Sequence, residues 1–301
     1  MHLATLHPKP PYNLRRSAEL LSRYHGVLEN YEDGSYLRAL TVDGNVVLLR
    51  VQSNDDPEAP ELTVTHVAGV LDAPEQAIRK IRWVLATGYD LTDFYSMAKQ
   101  HPSLWNVVEP LYGVRHFQSE TVFEALMTVI IEQQISLYAA LKAQRNLAEW
   151  GGSCIEHNGS TYYTFPTPQQ IANATHDDLH AILKITHRRV DVMQGIARDV
   201  LDGKLDLEGM RDLPASEVYE RLIAIKWVGH WTVAWTLIRG MNRYDYVGHN
   251  DVALRSAVSY YFHNTEERVS ADEVTRTFDA YAPHSGLAAF YTLMRWAVER
   301  Y

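Results

Sequence analysis

A single cysteine, Cys154, among 301 residues excludes an internal disulfide and any iron–sulfur cluster held by four thiolates of this chain. No apolar run is long enough to span a bilayer. The first residues, MHLATLHPKPPYNL, carry no signal-peptide pattern, so a cytoplasmic protein without membrane contact is expected. Positive charge is also in short supply. Lys and Arg total 28 against 37 Asp and Glu, giving a net charge of −9. That balance opposes tight indiscriminate binding to nucleic acid, which comes from neutralising phosphates with Lys and Arg. A local footprint can still be basic while the rest of the surface is acidic. Its candidates are Lys142, Arg145, Arg188, Arg189, Lys226, Arg239, Arg243 and Arg255. No internal repeat and no low-complexity segment is present.

What is there suits a globular chain: 46% hydrophobic, 22% charged, and long enough for two or three subdomains. Residues 35–42 and 45–52 are strand-like runs flanking Asp43-Gly44, a strong hairpin signal, and 61–67 returns as a third strand. Helical periodicity marks 15–24 and 74–86, with Gly88 as the second helix's stop. This N-terminal part reads as a small α+β unit with nothing catalytic in it. From about Leu91 the chain is nearly all helix. Thr121 and Glu124 form a plausible capping box opening an apolar helix that runs into Glu132-Gln133-Gln134-Ile135-Ser136. A further helix reaches Trp150, residues 153–165 form a loop or short hairpin, and helices follow to the C-terminus.

The chain is organised around Leu222 to Arg255. Val218, Leu222 and Ile225 lie at helical spacing; Lys226-Trp227-Val228-Gly229 interrupts them; His230 to Arg239 resumes as helix, with Gly240 where a helix commonly stops. The second helix of such a pair starts with unpaired N–H groups that can meet a phosphate. Trp231 and Trp235 stand four apart on one face. They read either as core or as an electron-rich surface for a planar, cationic ligand. Asp251 follows Trp231 by twenty residues and reads either as a helix cap or as a working carboxylate.

Ile225-Lys226-Trp227-Val228-Gly229-His230-Trp231-Thr232-Val233 resembles the helix-hairpin-helix and Gly/Pro-Asp motif of the base-excision DNA glycosylase superfamily, and in particular its DNA-3-methyladenine glycosylase II branch. That branch reads Phe/Leu-Pro-Gly-Ile-Gly-Arg-Trp-Thr-Ala, with the same gap-free spacing from the Trp to its catalytic Asp. Pro10-Pro11-Tyr12, the segment 130–136, Phe165-Pro166-Thr167-Pro168-Gln169 and Trp296 extend the likeness over most of the chain. The resemblance implies a mainly α, helix-hairpin-helix glycosylase fold with an N-terminal α+β subdomain and an active-site cleft between two helical subdomains. The expected division is 1–97 for the α+β unit, 119–243 for the hairpin-bearing unit, and 98–118 plus 244–301 for the unit carrying Asp251 and Trp296.

The same likeness implies roles. Asp251 would be the catalytic carboxylate beside an oxocarbenium-like sugar. Trp231, Trp235 and Trp296 would form the base pocket, and Gln134 the wedge that fills the space left by a flipped nucleotide. Lys226, Val228, Gly229, His230 and Arg255 would meet the DNA backbone. Carbonyls of Ile223, Ile225 and Trp227 would be the site of a monovalent cation, where one binds; no other metal and no cofactor is expected. The lysine nucleophile of strand-cutting relatives is replaced by Trp231, which implies a monofunctional hydrolase. The expected partner is double-stranded DNA with alkylated bases, met by a monomer. Alternatives are the same fold acting on hypoxanthine, ethenoadenine or an oxidised purine, or a non-catalytic DNA-binding protein. One departure stands in the hairpin: Lys226-Trp227 replaces Pro-Gly, so the backbone freedom of the first glycine is missing.

Overall fold

The computed structural model describes residues 1–25 and 28–300. An antiparallel five-stranded sheet opens the chain: β1 (His2–Leu6), β2 (Asn30–Glu32), β3 (Ser35–Val42), β4 (Asn45–Ser53) and β5 (Leu62–Gly69), in the order β1-β5-β4-β3-β2. Asp43 and Gly44 both take positive φ, 47° and 78°, between the paired Val42 and Asn45, so the tight turn sits where the sequence puts it. Tyr36, Leu40, Val47 and Leu49 face a core closed by α1 (Leu14–His25) and α2 (Pro74–Val84). Leu37, Ala39 and Leu48, on the opposite face, are covered by Ile155 and Tyr162 of the hairpin β6 (Cys154–His157) and β7 (Ser160–Tyr163). Edge strands β1 and β2 are additions to the sequence expectation. β2 has only three residues and β1 only five, too few for a two-residue period to stand out.

The helical part comprises α3 (Thr92–Ala98), α4 (Pro102–Val108), α5 (Val122–Glu132), α6 (Leu137–Gly151), α7 (Pro168–Asn173), α8 (His176–Leu183), α9 (His187–Leu201), α10 (Ala215–Ile223), α11 (His230–Met241), α12 (Val252–His263), α13 (Ala271–Asp279) and α14 (Ser285–Arg300). It holds two apolar clusters. One gathers α5 to α11; the other gathers α3, α4 and α12 to α14. Helix α11 serves both: Val233, Leu237 and Met241 enter the first, Trp235 and Ile238 the second. No helix of the described residues is long and apolar enough to cross a membrane.

Two local expectations are corrected. Gly240 does not stop α11, which runs on to Met241 and is capped by Asn242 at φ 53°. Gly240 is instead where α11 presses against α5: a Cβ there would come within 3.0 Å of the Ala125 Cβ. Only half of the capping box at Thr121 forms. The Thr121 hydroxyl accepts the Glu124 N–H at 3.0 Å, but the Glu124 carboxylate turns to Glu120 N–H and to buried Arg38 of β3. Arg38 is buried and already paired with Glu29 at 3.0 Å; Glu124 serves its second guanidinium nitrogen at 3.1 Å, a bond worth more than the lost cap arm.

Candidate active site

Helix α10 ends at Ile223, and six residues later Gly229 is the N-cap of α11. The turn between them is tight: Ile225 N–H donates to Leu222 O at 3.1 Å and Val228 N–H to Ile225 O at 3.0 Å. The left-handed backbone that a glycine would supply is adopted by Trp227 itself, at φ 73°. For an L-residue that costs about 1–2 kcal/mol. Contacts offset it. The Arg188 guanidinium of α9 lies 4.2 Å over the indole and Lys226 Nζ 5.5 Å from it, while Gln133 Nε2 donates to Trp227 O at 3.4 Å and to Thr232 Oγ1 at 2.9 Å. The hairpin therefore forms without its first glycine.

Gln133 belongs to the turn between α5 and α6, and the next residue, Gln134, is exposed with φ 54°. One side chain thus ties the hairpin to the turn that presents Gln134. Among the three hairpin carbonyls singled out for a cation, Ile225 O accepts Val228 N–H and Trp227 O accepts Gln133; each retains a second lone pair.

Asp251 is the N-cap of α12, its Oδ1 accepting the N–H groups of Ala253 at 2.8 Å and Leu254 at 3.0 Å. Its Oδ2 accepts the indole N–H of Trp231 at 2.7 Å. Three N–H donors and the positive end of a helix dipole thus hold the carboxylate in one orientation. It borders a cleft of about 300 Å³, open mouth included, between α11, α12 and α14, with Trp235, Gly248, Leu254, Gly286 and Leu293 among the walls. Gly286 is needed there for close approach: a Cβ would stand 2.0 Å from Tyr244 O, and this contact locks the 242–251 loop to the start of α14. A larger cavity of about 530 Å³ lies apart from Asp251, lined by Glu29 and Glu124, which meet Arg38 of the sheet, and by Gln144 and Arg239, which tie α6 and α11 to Glu132 of α5.

The structure brings together Trp231, Trp235 and Asp251. The two indole centroids are 6.4 Å apart and the rings are tilted by 58°. Trp235 is only 9% exposed, with the Arg239 guanidinium 4.9 Å from its ring, so it is a core residue as well as a wall of the cleft. Trp296 stands apart from them. Its ring packs on Tyr260 and Tyr261 of α12 at 5.9 and 6.2 Å and beneath Arg300 at 3.7 Å, one turn beyond Leu293.

The basic footprint thins on folding. Arg189 donates to Ile131 O, Arg239 pairs with Glu132 at 2.6 Å, Arg243 donates to Leu213 O and Arg211 O, and Arg255 Nε donates to Val269 O at 2.7 Å. His230 is likewise engaged, its Nε2 donating to Val247 O at 2.7 Å and its Nδ1 meeting the Tyr219 hydroxyl at 3.0 Å. It stacks on His249 at 4.4 Å, and burial next to that ring pushes the His249 imidazole below its ordinary value. Two features escaped sequence reasoning: the bond from Trp231 to Asp251, and the bridge through Gln133. Helical spacing aligns faces but does not say which edge of an indole points where.

Residues 127–283 match the family described as "HhH-GPD superfamily base excision DNA repair protein". The chain is 30% identical over 217 residues to the DNA-3-methyladenine glycosylase of Bacillus subtilis (strain 168), covering 72% of this chain and 71% of that protein. It is 27% identical over 178 residues to DNA-3-methyladenine glycosylase 1 of Schizosaccharomyces pombe, covering 59% and 73% of the two chains. Its fold is similar to that of the 3-methyladenine DNA-glycosylase from Archaeoglobus fulgidus, with a TM-score of 0.83 at 22% identity over 98% of each chain.

Proposed function

This chain belongs to the HhH-GPD superfamily of base excision DNA repair proteins, and from that premise we propose that it is a monofunctional DNA glycosylase excising alkylated purines from duplex DNA, 3-methyladenine foremost. The observation that carries the reading is the Asp251 carboxylate, fixed by three N–H donors at the edge of an apolar cleft. A protein that only bound DNA would need Asp251 as a helix cap alone; a cap does not call for a carboxylate placed at the edge of an apolar cleft.

The chemistry follows. The damaged nucleotide leaves the stack, at a cost of roughly a few kcal/mol, and Gln134 on its exposed turn is assigned to the vacated space. The alkylated purine enters between α11 and α14, where Trp235 and Leu293 are the walls assigned to it. Positive charge on the base makes it a good leaving group. As the bond from C1′ to the base nitrogen breaks, its electron pair goes to the base and positive charge develops on the sugar. Asp251 faces that charge and stabilises it electrostatically. Water then bonds to C1′, and its proton passes to Asp251 or to solvent. An amine nucleophile is absent where strand-cutting relatives need one, because Trp231 occupies that position; this supports hydrolysis without lyase chemistry. Backbone N–H groups at the start of α11, beside Val228 and Gly229, are assigned to a DNA phosphate.

The test is incubation of the purified protein with methylated duplex DNA, followed by chromatography of the released bases. Wild type should free 3-methyladenine, and Asp251→Asn, which can still cap α12, should free almost none. No release by wild type, or equal release by Asp251→Asn, sinks the reading.

A further inference from the structure

We propose that Trp227 is a platform that pre-positions Arg188 as a phosphate-binding cation, extending the DNA contact from the hairpin onto the N-terminal turn of α9. The proposal rests on the DNA-glycosylase reading and goes beyond it, since Arg188 is otherwise only one of several candidates for a basic footprint and the Trp227 ring has no role in that reading.

The tryptophan itself is the first argument. Position 227 takes a left-handed backbone, φ 73°, which glycine adopts most easily, and fills it with the largest side chain available. That side chain is not buried in compensation, since Trp227 remains 52% exposed. A strained, exposed aromatic at a turn tip is the kind of outlier from which function is inferred. Its observed work is to hold a cation: the Arg188 guanidinium stacks 4.2 Å over the ring.

The second argument is charge. Folding consumes most of the basic residues around the hairpin, as Arg189, Arg239, Arg243 and Arg255 are all engaged with carbonyls or carboxylates of the chain. Arg188 and Lys226 make no ion pair and no hydrogen bond among the described residues, and both are exposed. Asp191, one turn along α9 from Arg188, is held instead by His176 at 3.2 Å. On a chain of net charge −9, two uncommitted cations on one exposed indole form a site for an anion.

The third argument is rigidity. An exposed arginine normally loses rotamer freedom when it meets phosphate, and stacking on a fixed ring removes part of that freedom beforehand. The backbone beneath Arg188 is also held. The neighbouring His187 ring lies parallel to those of His180 at 3.8 Å and His176 at 5.1 Å, joining α8 to the first turn of α9. Gln133 fixes the other side by bonding the Trp227 carbonyl.

Binding of the intact chain to a duplex carrying a tetrahydrofuran abasic analogue, read by fluorescence anisotropy between 50 and 300 mM salt, tests the proposal. Arg188→Ala should weaken binding about 3- to 10-fold at 100 mM salt and lower the slope of log K against log salt by about 0.9. Trp227→Gly should lose a similar share of slope and affinity while its melting temperature stays level or rises, because glycine relieves the backbone. Both variants binding with wild-type affinity and slope overturns the proposal while leaving the glycosylase reading standing. Trp227→Gly losing affinity and melting temperature together also overturns it, since the ring would then be a structural prop. Wild type failing to bind the duplex removes the glycosylase reading and this proposal with it.

Discussion

Replacing Trp231 with phenylalanine separates two things the indole can do. The ring face is kept, but the N–H that meets Asp251 Oδ2 at 2.7 Å is lost. A hydrogen bond from a neutral donor to a carboxylate is worth about 1.5–3 kcal/mol when buried. Trp231 and Asp251 are both half-buried, so water replaces the donor in part and the loss falls to about 1–2 kcal/mol. If the bond serves to aim the carboxylate at the developing sugar cation, that loss appears in the chemical step as a 5- to 30-fold slower single turnover. Affinity for a duplex carrying an abasic analogue should stay within about 2-fold, because no DNA contact has been removed. The decisive comparison is a double-mutant cycle, with base release measured for Trp231→Phe, Asp251→Asn and the pair. Positioning through Asp251 predicts that Trp231→Phe costs less than about 2-fold once Asp251 is already asparagine. An equal fold-loss in both backgrounds, or no loss in the single variant, refutes the reasoning and returns Trp231 to a stacking role.

Two further outcomes follow from the packing. Trp235, buried among Ile238, Leu254 and their neighbours, should cost about 3–5 kcal/mol of unfolding free energy when cut to alanine. Trp235→Phe should keep most of that stability, and a Trp235→Ala protein with a wild-type urea midpoint but no base release would show that the residue serves the pocket alone. Burial pushes the Glu124 carboxyl up to about 7, against the pull of Arg38. Its folded-state value lies above the unfolded value, so the folded protein holds the extra proton between about 4.5 and 7 and this group's contribution to stability falls as pH rises through that window. Glu124→Gln should therefore gain on wild type with rising pH, by on the order of 1–3 kcal/mol in urea unfolding at pH 5 and pH 8. A difference that is flat or opposite in sign would show that the Arg38 charge dominates.

The hairpin turn of the sheet, the apolar helices and the order of the chemistry-bearing residues are legible in the sequence, because each depends on neighbours within a turn or two. Asp43-Gly44 needs only its own backbone to turn. What was not legible depends on partners far along the chain. The Glu124 carboxylate leaves its cap for the buried guanidinium of Arg38, 86 residues away. Gly240 serves close packing rather than a helix stop, because Ala125 of α5 leaves little room for a side chain there. Arg255 falls near the hairpin in sequence, but its Nε is spent on Val269 O across the start of the next connection. The three tryptophans divide for the same reason: helical spacing joins Trp231 to Trp235, while the position of Trp296 depends on how α12 meets α14. Trp227 shows the limit from the other side, since propensity argues for glycine there and a stacking arginine from α9 makes tryptophan tenable.

Asp251 shows why the ordinary and the functional readings of a residue need not compete. As a sequence feature it suited a helix cap, and it is one: its Oδ1 closes two N–H groups of α12. A capping aspartate has little rotational freedom, because turning away leaves those donors unpaired at a cost of about 1 kcal/mol. Folding of α12 therefore sets the direction of the second oxygen before any substrate arrives. That oxygen meets the Trp231 indole from α11. Helices α11 and α12 are thus joined at one carboxylate, and the orientation a charged transition state needs is supplied by the fold rather than by the substrate. The same geometry limits what can replace it. Glutamate would carry the charge but could not cap with its longer arm, and asparagine could cap but not carry the charge. Aspartate is the one side chain that does both at this position.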